Sequence, residues 1–211
     1  MALENLKKLV TEGEPDGAVE EVQKAMNDGV DVLTILNDAM VPGINRAGEL
    51  WKEDVYFLPD VIMSAEAFKD CMSIIEPKLK TAGGEKIGKV VIGCVEGDMH
   101  DLGKGLVVAM LRANGFEVVD LGADVPVSKF VDSIKAENAD IVGMGAYMST
   151  TMTLMKDFIE TFVKEGLRDK IKVMVGGVPI TQKYSEDVGA DAWGQDALDT
   201  VEKAKKLMGV A

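Results

Sequence analysis

The chain has 211 residues, 47% of them apolar, and a formal net charge of −13. That length suits one large domain or two modest ones around a real core, and the composition excludes a disordered chain. The acid excess is concentrated toward the amino-terminal part and leaves no basic stripe to neutralise phosphates, so neither nucleic acid nor an anionic membrane is an expected partner.

Met1-Ala2-Leu3-Glu4-Asn5-Leu6 lacks the apolar stretch of a signal peptide, and no run of about 18 apolar residues occurs, so the cytoplasm is the expected compartment. The first 80 residues carry helical periodicity. Ala18, Val19, Val22, Ala25 and Met26 form one stripe, and Val32, Leu33, Leu36, Met40, Val41 and Ile44 a second. Leu58, Val61, Ile62, Ala65, Phe68, Met72 and Ile75 form a third. Asn27-Asp28-Gly29 and Leu58-Pro59-Asp60 punctuate them, which predicts an antiparallel bundle of about four helices over 1–80.

Residues 81–88, Thr81-Ala82-Gly83-Gly84-Glu85-Lys86-Ile87-Gly88, read as a linker. Beyond it the pattern alternates between short β-branched runs (89–95, 117–121, 141–145, 172–175, 190–193) and helical ones (103–113, 127–137, 151–165, 181–188, 196–208). This βαβ alternation predicts a flavodoxin-like α/β domain over 89–211, with a parallel sheet of about five strands and ligands beyond the strands' carboxyl ends. Cys71 and Cys94 form no CxxC pair and fall in a helical and a strand-like run, so buried thiols are expected.

The one histidine, His100, lies in Asp98-Met99-His100-Asp101-Leu102-Gly103, directly after the first of these strands. An imidazole between carboxylates in a glycine-bearing loop is well placed to offer a nitrogen to a metal, with Asp98 holding the other ring nitrogen. A helix-capping or core histidine is the alternative, although Asp101 is the better cap. Phosphate loops fit poorly. Five residues separate Gly97 from Gly103 and Gly105 follows Lys104, which breaks the Walker spacing; Val108 replaces the third glycine of a dinucleotide loop.

Asp98-x-His100-x-x-Gly103, small residues after the third strand and Gly176-Gly177 after the fourth resemble the cobalamin-binding signature of base-off/His-on corrinoid proteins. Gly48-Glu49-Leu50-Trp51, Tyr56-Phe57-Leu58-Pro59 and Ala65-Glu66-Ala67-Phe68 resemble the helical cap of the same family, the methyl carriers of methanol, methylamine and betaine systems and the cobalamin module of methionine synthase. The resemblance implies a cobalamin or related corrinoid whose cobalt cycles between methyl-Co(III) and Co(I). His100 would be the lower cobalt ligand within a loop that includes Met99, Asp101 and Leu102. Asp98 would hold its second nitrogen, and Thr151, beside Ser149 and Thr150, would extend the relay. Gly103, Gly145, Gly176 and Gly177 would make room for the displaced nucleotide tail, with Trp193 and Gly194 flanking the slot. Trp51, Leu58 and Val61 would cover the methyl-bearing face.

The implied partners are a substrate-specific methyltransferase, a second methyltransferase acting on a thiol or tetrahydrofolate-type acceptor, and a reductive activase. One departure stands out: the family's Ser-x-Leu reads Gly145-Ala146-Tyr147 here. Tyr147 either narrows the slot, stacks on the benzimidazole or is simply a half-buried aromatic. A cobalamin-dependent sensor, a mutase subunit and a flavodoxin-like domain without corrin remain the alternative readings.

Overall fold

A computed structural model describes residues 2–82 and 86–210, and the chain divides into two compact units, Met1–Glu85 and Lys86–Ala211. The first contains α1 (Ala2–Glu12), α2 (Pro15–Asn27), α3 (Val32–Ile35), a π-helical turn (Leu36–Met40), α4 (Val41–Lys52) and α5 (Leu58–Ala82). The junctions of α3, the π turn and α4 keep right-handed helical backbone, so among the described residues this unit is four helical rods, as the periodicity predicts. The π turn has a local cause. Pro42 has no N–H and its ring crowds the carbonyl four residues earlier; the backbone widens, and Val41 N–H bonds back to Leu36 O. Asp31 starts the rod by accepting the N–H groups of Leu33 and Thr34 at 3.0 and 3.3 Å. The three apolar stripes meet in a core that includes Leu6, Val22, Ile35, Ile44, Phe68 and Ile75.

The second unit runs β1 (Gly88–Cys94), α6 (Leu102–Ala113), β2 (Phe116–Asp120), α7 (Val127–Glu137), β3 (Ile141–Gly145), α8 (Ser149–Met152), α9 (Leu154–Lys164), β4 (Lys172–Gly176), α10 (Gln182–Val188), β5 (Ala192–Gly194) and α11 (Ala197–Leu207). All neighbouring strands are parallel, in the order β2-β1-β3-β4-β5. Such an order reverses direction between β1 and β3, and a crevice opens at their carboxyl ends. The loops after β1 and β3 face each other there.

One face of the sheet is closed by a continuous core in which Val91, Val142 and Val173 pack against Phe130 of α7 and Phe158 and Phe162 of α9. Strand alternation sends the intervening residues to the other face, where α6 and α11 pack against each other.

Several boundaries differ from the sequence expectation. Thr81 and Ala82 continue α5 instead of leaving it, while Gly83, Gly84 and Glu85 of the expected linker lie outside the described residues. The helix expected over 151–165 is two, because Thr153 interrupts it with its hydroxyl bonded to Thr150 O at 2.8 Å. Asp101 occupies the cap position of α6 but makes no side-chain cap bond, since its backbone is already helical (φ −108°, ψ −1°). Thr181 and Asp196, by contrast, cap α10 and α11 through their side chains. Among the described residues no helix is long and apolar enough to cross a membrane.

The first turn of α6 is anchored by a buried ion pair. Lys104, 3% exposed, places Nζ at 2.5 and 2.7 Å from the carboxylate of Asp120 at the end of β2. Its two halves are unequally buried, which sets an asymmetry. Asp120→Ala strands a buried ammonium and should cost about 3 kcal/mol. Lys104→Met leaves a partly exposed carboxylate and should cost less than half as much; urea unfolding midpoints of the two variants measure the difference.

Candidate functional site

The crevice is built around a carboxylate with no exposed surface. Asp98 is 0% exposed, and its oxygens accept five hydrogen bonds. Oδ1 takes the His100 backbone N–H at 3.1 Å and ring Nδ1 at 2.9 Å. Oδ2 takes the N–H groups of Tyr147 and Met148 at 2.7 and 3.3 Å and the Thr151 hydroxyl at 2.6 Å. Burial pushes the Asp98 pKa up, but the bonds from Thr151, Tyr147 and His100 together outweigh it and hold the carboxyl below the ordinary carboxylate range. An ionised Asp98 can only accept, so Nδ1 of His100 carries a proton, and in the neutral ring the lone pair is on Nε2. The imidazole is 62% exposed, with Nε2 on the edge turned away from Asp98. The site therefore presents one fixed-tautomer nitrogen at the mouth of the crevice.

The loop that carries this pair is itself held. Gly97 N–H donates to Asp124 Oδ1 at 2.7 Å, and Asp124 N–H donates to Asp98 O at 3.0 Å. Asp124 adopts φ +52°, a left-handed conformation uncommon outside glycine. Sequence reasoning missed Asp124 and the Lys104–Asp120 pair. The one available signal was that Asp124 follows β2 on the same carboxyl edge.

Beside His100 the sheet lacks side chains. Register pairs Cys94 with Gly145, Gly145 with Gly176 and Gly176 with Gly194, so these four residues form a lateral row on the α6/α11 face. Three consecutive members are glycine, so the row has a backbone floor, which Thr200 of α11 covers at the Gly194 end. Gly177, at φ +126°, adopts a conformation few other residues tolerate, and a Cβ there would strike the carbonyl of Ala146. Gly103 faces the row from the first turn of α6, with the Tyr147 ring against it.

The structure thus brings together Asp98, His100, Thr151, Gly103, Gly145, Tyr147, Gly176, Gly177 and Gly194. Met99 is 70% exposed beside His100, and Ser149 and Thr150 are exposed in the first turn after β3. Asp101 is exposed, and the side chain of Leu102 lies outside the described residues. Trp193 is one residue out of phase with Gly194, and its ring packs against the core on the opposite face. In the helical unit Val61 is buried and Trp51 half-buried, whereas Val55, Phe57, Leu58 and Met63 are exposed apolar side chains of one short segment.

Among the described residues no three His, Cys, Asp or Glu side chains assemble into a metal-binding cluster. A metal at His100 would have to arrive with its other ligands already in place. A planar macrocycle with a long tail meets that requirement: one nitrogen below the metal, and a backbone-floored trough for the tail. The residues fit such a group.

Both thiols are buried and free. Burial pushes Cys71 and Cys94 up to about 12, with Lys104 partly offsetting the effect at Cys94. An unfolded thiol ionises near its ordinary value of 9.0 while the folded one keeps its proton, so this contribution to stability is intact below pH 9 and is lost as pH rises from there toward 12. At pH 8.5 iodoacetamide should leave the native protein unlabelled and add two labels in urea, read by mass.

Comparison with known proteins gives the family of this fold. Two models, each described as a B12 binding domain, match residues 2–76 and 88–202. The chain is 42% identical over 210 residues to a corrinoid protein of Desulfitobacterium hafniense, covering 98% of this chain and 97% of that one. It is 39% identical over 208 residues to a dimethylamine corrinoid protein of Methanosarcina acetivorans, covering 98% and 95%. Among solved structures, the methanol:cobalamin methyltransferase complex from Methanosarcina barkeri matches at a TM-score of 0.84 and 32% identity, over 100% of this chain and 80% of that one. A cobalamin-binding protein from Desulfitobacterium hafniense matches at 0.75 and 31% identity, over 97% and 98%. The chain belongs to the B12-binding family and is a corrinoid protein of the kind that serves methyltransferase systems.

Proposed function

We propose that this chain is a methyl carrier, holding its corrinoid with His100 Nε2 on the lower face of the cobalt in place of the cofactor's own base. The observation that supports the reading best is the buried Asp98 carboxylate, which fixes the tautomer of an exposed imidazole at the edge of a glycine-floored trough. When bound, the corrinoid supplies a cobalt centre able to accept and release a methyl group. The chain's own residues orient the ligand and manage its proton. With Nδ1–H held by Asp98, an Nε2 not bound to metal could take a proton, and the positive charge it created would lie against an anion already in place. Thr151 steadies Asp98 through the step, because its hydroxyl donates to the oxygen that His100 does not use.

Among the described residues no further metal-binding cluster is found, and in this reading the donor and acceptor are handled by partners. A substrate-specific methyltransferase would load the methyl group, and a second enzyme would pass it to a thiol or tetrahydrofolate-type acceptor. A reductive activase would rescue oxidised cobalt. The relatives with amine names and the methanol:cobalamin complex favour this reading over the sensor. In the helical unit, Trp51 and the exposed apolar residues Phe57 and Leu58 are the surface proposed to shield the methyl group from water.

The single histidine allows a clean test. Protein labelled with 15N-histidine and loaded with cobalamin should change the nitrogen splitting in the EPR spectrum of its cobalt(II) form. An unchanged splitting would mean that the cofactor's own base stays on the metal. His100→Ala should retain corrinoid through the trough, lose that coupling and slow methyl transfer; Asp98→Asn, which weakens the support of the ligand together with the loop staple, should slow it about tenfold. Trp51→Ala should accelerate photolysis of bound methylcobalamin, and equal decay in both proteins would remove the tryptophan from the shield.

A further inference from the structure

Tyr147 stands where the family signature has a leucine, and its ring does more than end a strand. Alternation along β3 sends Ile141, Gly143, Gly145 and Tyr147 to the α6/α11 face, the face of the trough. The ring reaches from the end of β3 to the first turn of α6. A Cβ added at Gly103 would lie 2.5 Å from the Tyr147 hydroxyl and 3.0 and 3.1 Å from Cε1 and Cζ; one added at Gly145 would lie 3.6 Å from Cε2. The His100 and Tyr147 ring centroids are 6.5 Å apart, so the phenol lies immediately beside the nitrogen proposed to bind cobalt.

Both walls therefore meet the ring through glycines. A leucine could not span that gap. In the carrier reading, the tail of a corrinoid held by His100 would leave the region of that ring along the same glycine row. A phenol wedged between Gly103 and Gly145 and a nucleotide tail cannot share the passage.

Resting on the carrier reading above, we propose that Tyr147 is a resident plug of the tail trough, which must rotate out before a nucleotide tail can enter. The consequence is selectivity. The chain spends part of the tail's binding energy on displacing the ring, and a corrinoid without a nucleotide tail is spared that cost. The plug also closes the trough while the tail is outside, so the same side chain supports the cofactor-free fold and opposes the tail. A tyrosine that only packs would support both forms. One that stacks on the lower base would favour the tail.

Equilibrium titration of wild type, Tyr147→Phe and Tyr147→Leu with cobalamin and with tail-less cobinamide, followed by visible absorbance, separates these roles. The quantity read is the ratio of the two dissociation constants within each protein. Tyr147→Phe removes only the hydroxyl that reaches Gly103 and should shift that ratio toward cobalamin by about threefold, a fraction of a tenfold step. Tyr147→Leu also removes the wedge and should shift it about tenfold or more, while the melting temperature of its cofactor-free form falls. An unchanged ratio in both variants, or one shifted toward cobinamide, overturns the plug. If wild type binds neither corrinoid, the carrier reading fails and the plug with it; if both bind and only the ratio fails to move, the carrier reading stands alone.

Discussion

A carboxylate taken entirely out of water is tolerated only when nearly all of its acceptor capacity is filled. Asp98 meets that condition with donors from its own loop, from the turn after β3 and from the short helix α8. Those donors come from both sides of the point where the strand order reverses, so satisfying one anion also staples two loops together across the crevice. The orientation of His100 follows from the same arrangement: its ring is the donor left facing solvent. Stability and ligand presentation are therefore the same interaction, and Asp98 cannot be altered for one without the other.

The two faces of the sheet divide the remaining work. One is a dense core of Val91, Val142, Val173 and the aromatic residues of α7 and α9. The other carries no side chain of its own at Gly145, Gly176 and Gly194, which stand in register along its carboxyl edge. Glycines at the strand ends weaken the sheet locally, because they bury nothing and lose much backbone freedom. The packed opposite face, together with the Lys104–Asp120 pair at the start of α6, compensates for that loss. A rigid half thus supports an open half, and the site lies on the open one.

What could be read beforehand depended on how far apart the relevant residues lie in the chain. The Asp98–His100–Gly103 loop is contiguous, so its donor, ligand and turn residues were visible together in one short run of sequence. Helical stripes in residues 1–80 and the alternation beyond them were legible because burial follows the local periods of helix and strand. The π turn before Pro42, the interruption at Thr153 and the uncapped Asp101 were not. Each depends on a competition between side chain, backbone and neighbour that a periodic pattern averages away. Asp124 escaped notice because its partners, Gly97 and Asp98, lie more than twenty residues upstream, and Trp193 was read onto the wrong face because a one-residue phase decides it.

The amino-acid sequence by itself determined the two-part layout, the parallel α/β class and the identity of the one imidazole, since all three are encoded in short-range pattern and residue type. Tertiary structure alone decided that Gly145, Gly176 and Gly194 form one floor, that five donors converge on Asp98 and that Tyr147 lies against Gly103. Those relations arise from strand register and from the crossing of separate loops, and spacing along the chain does not specify either one.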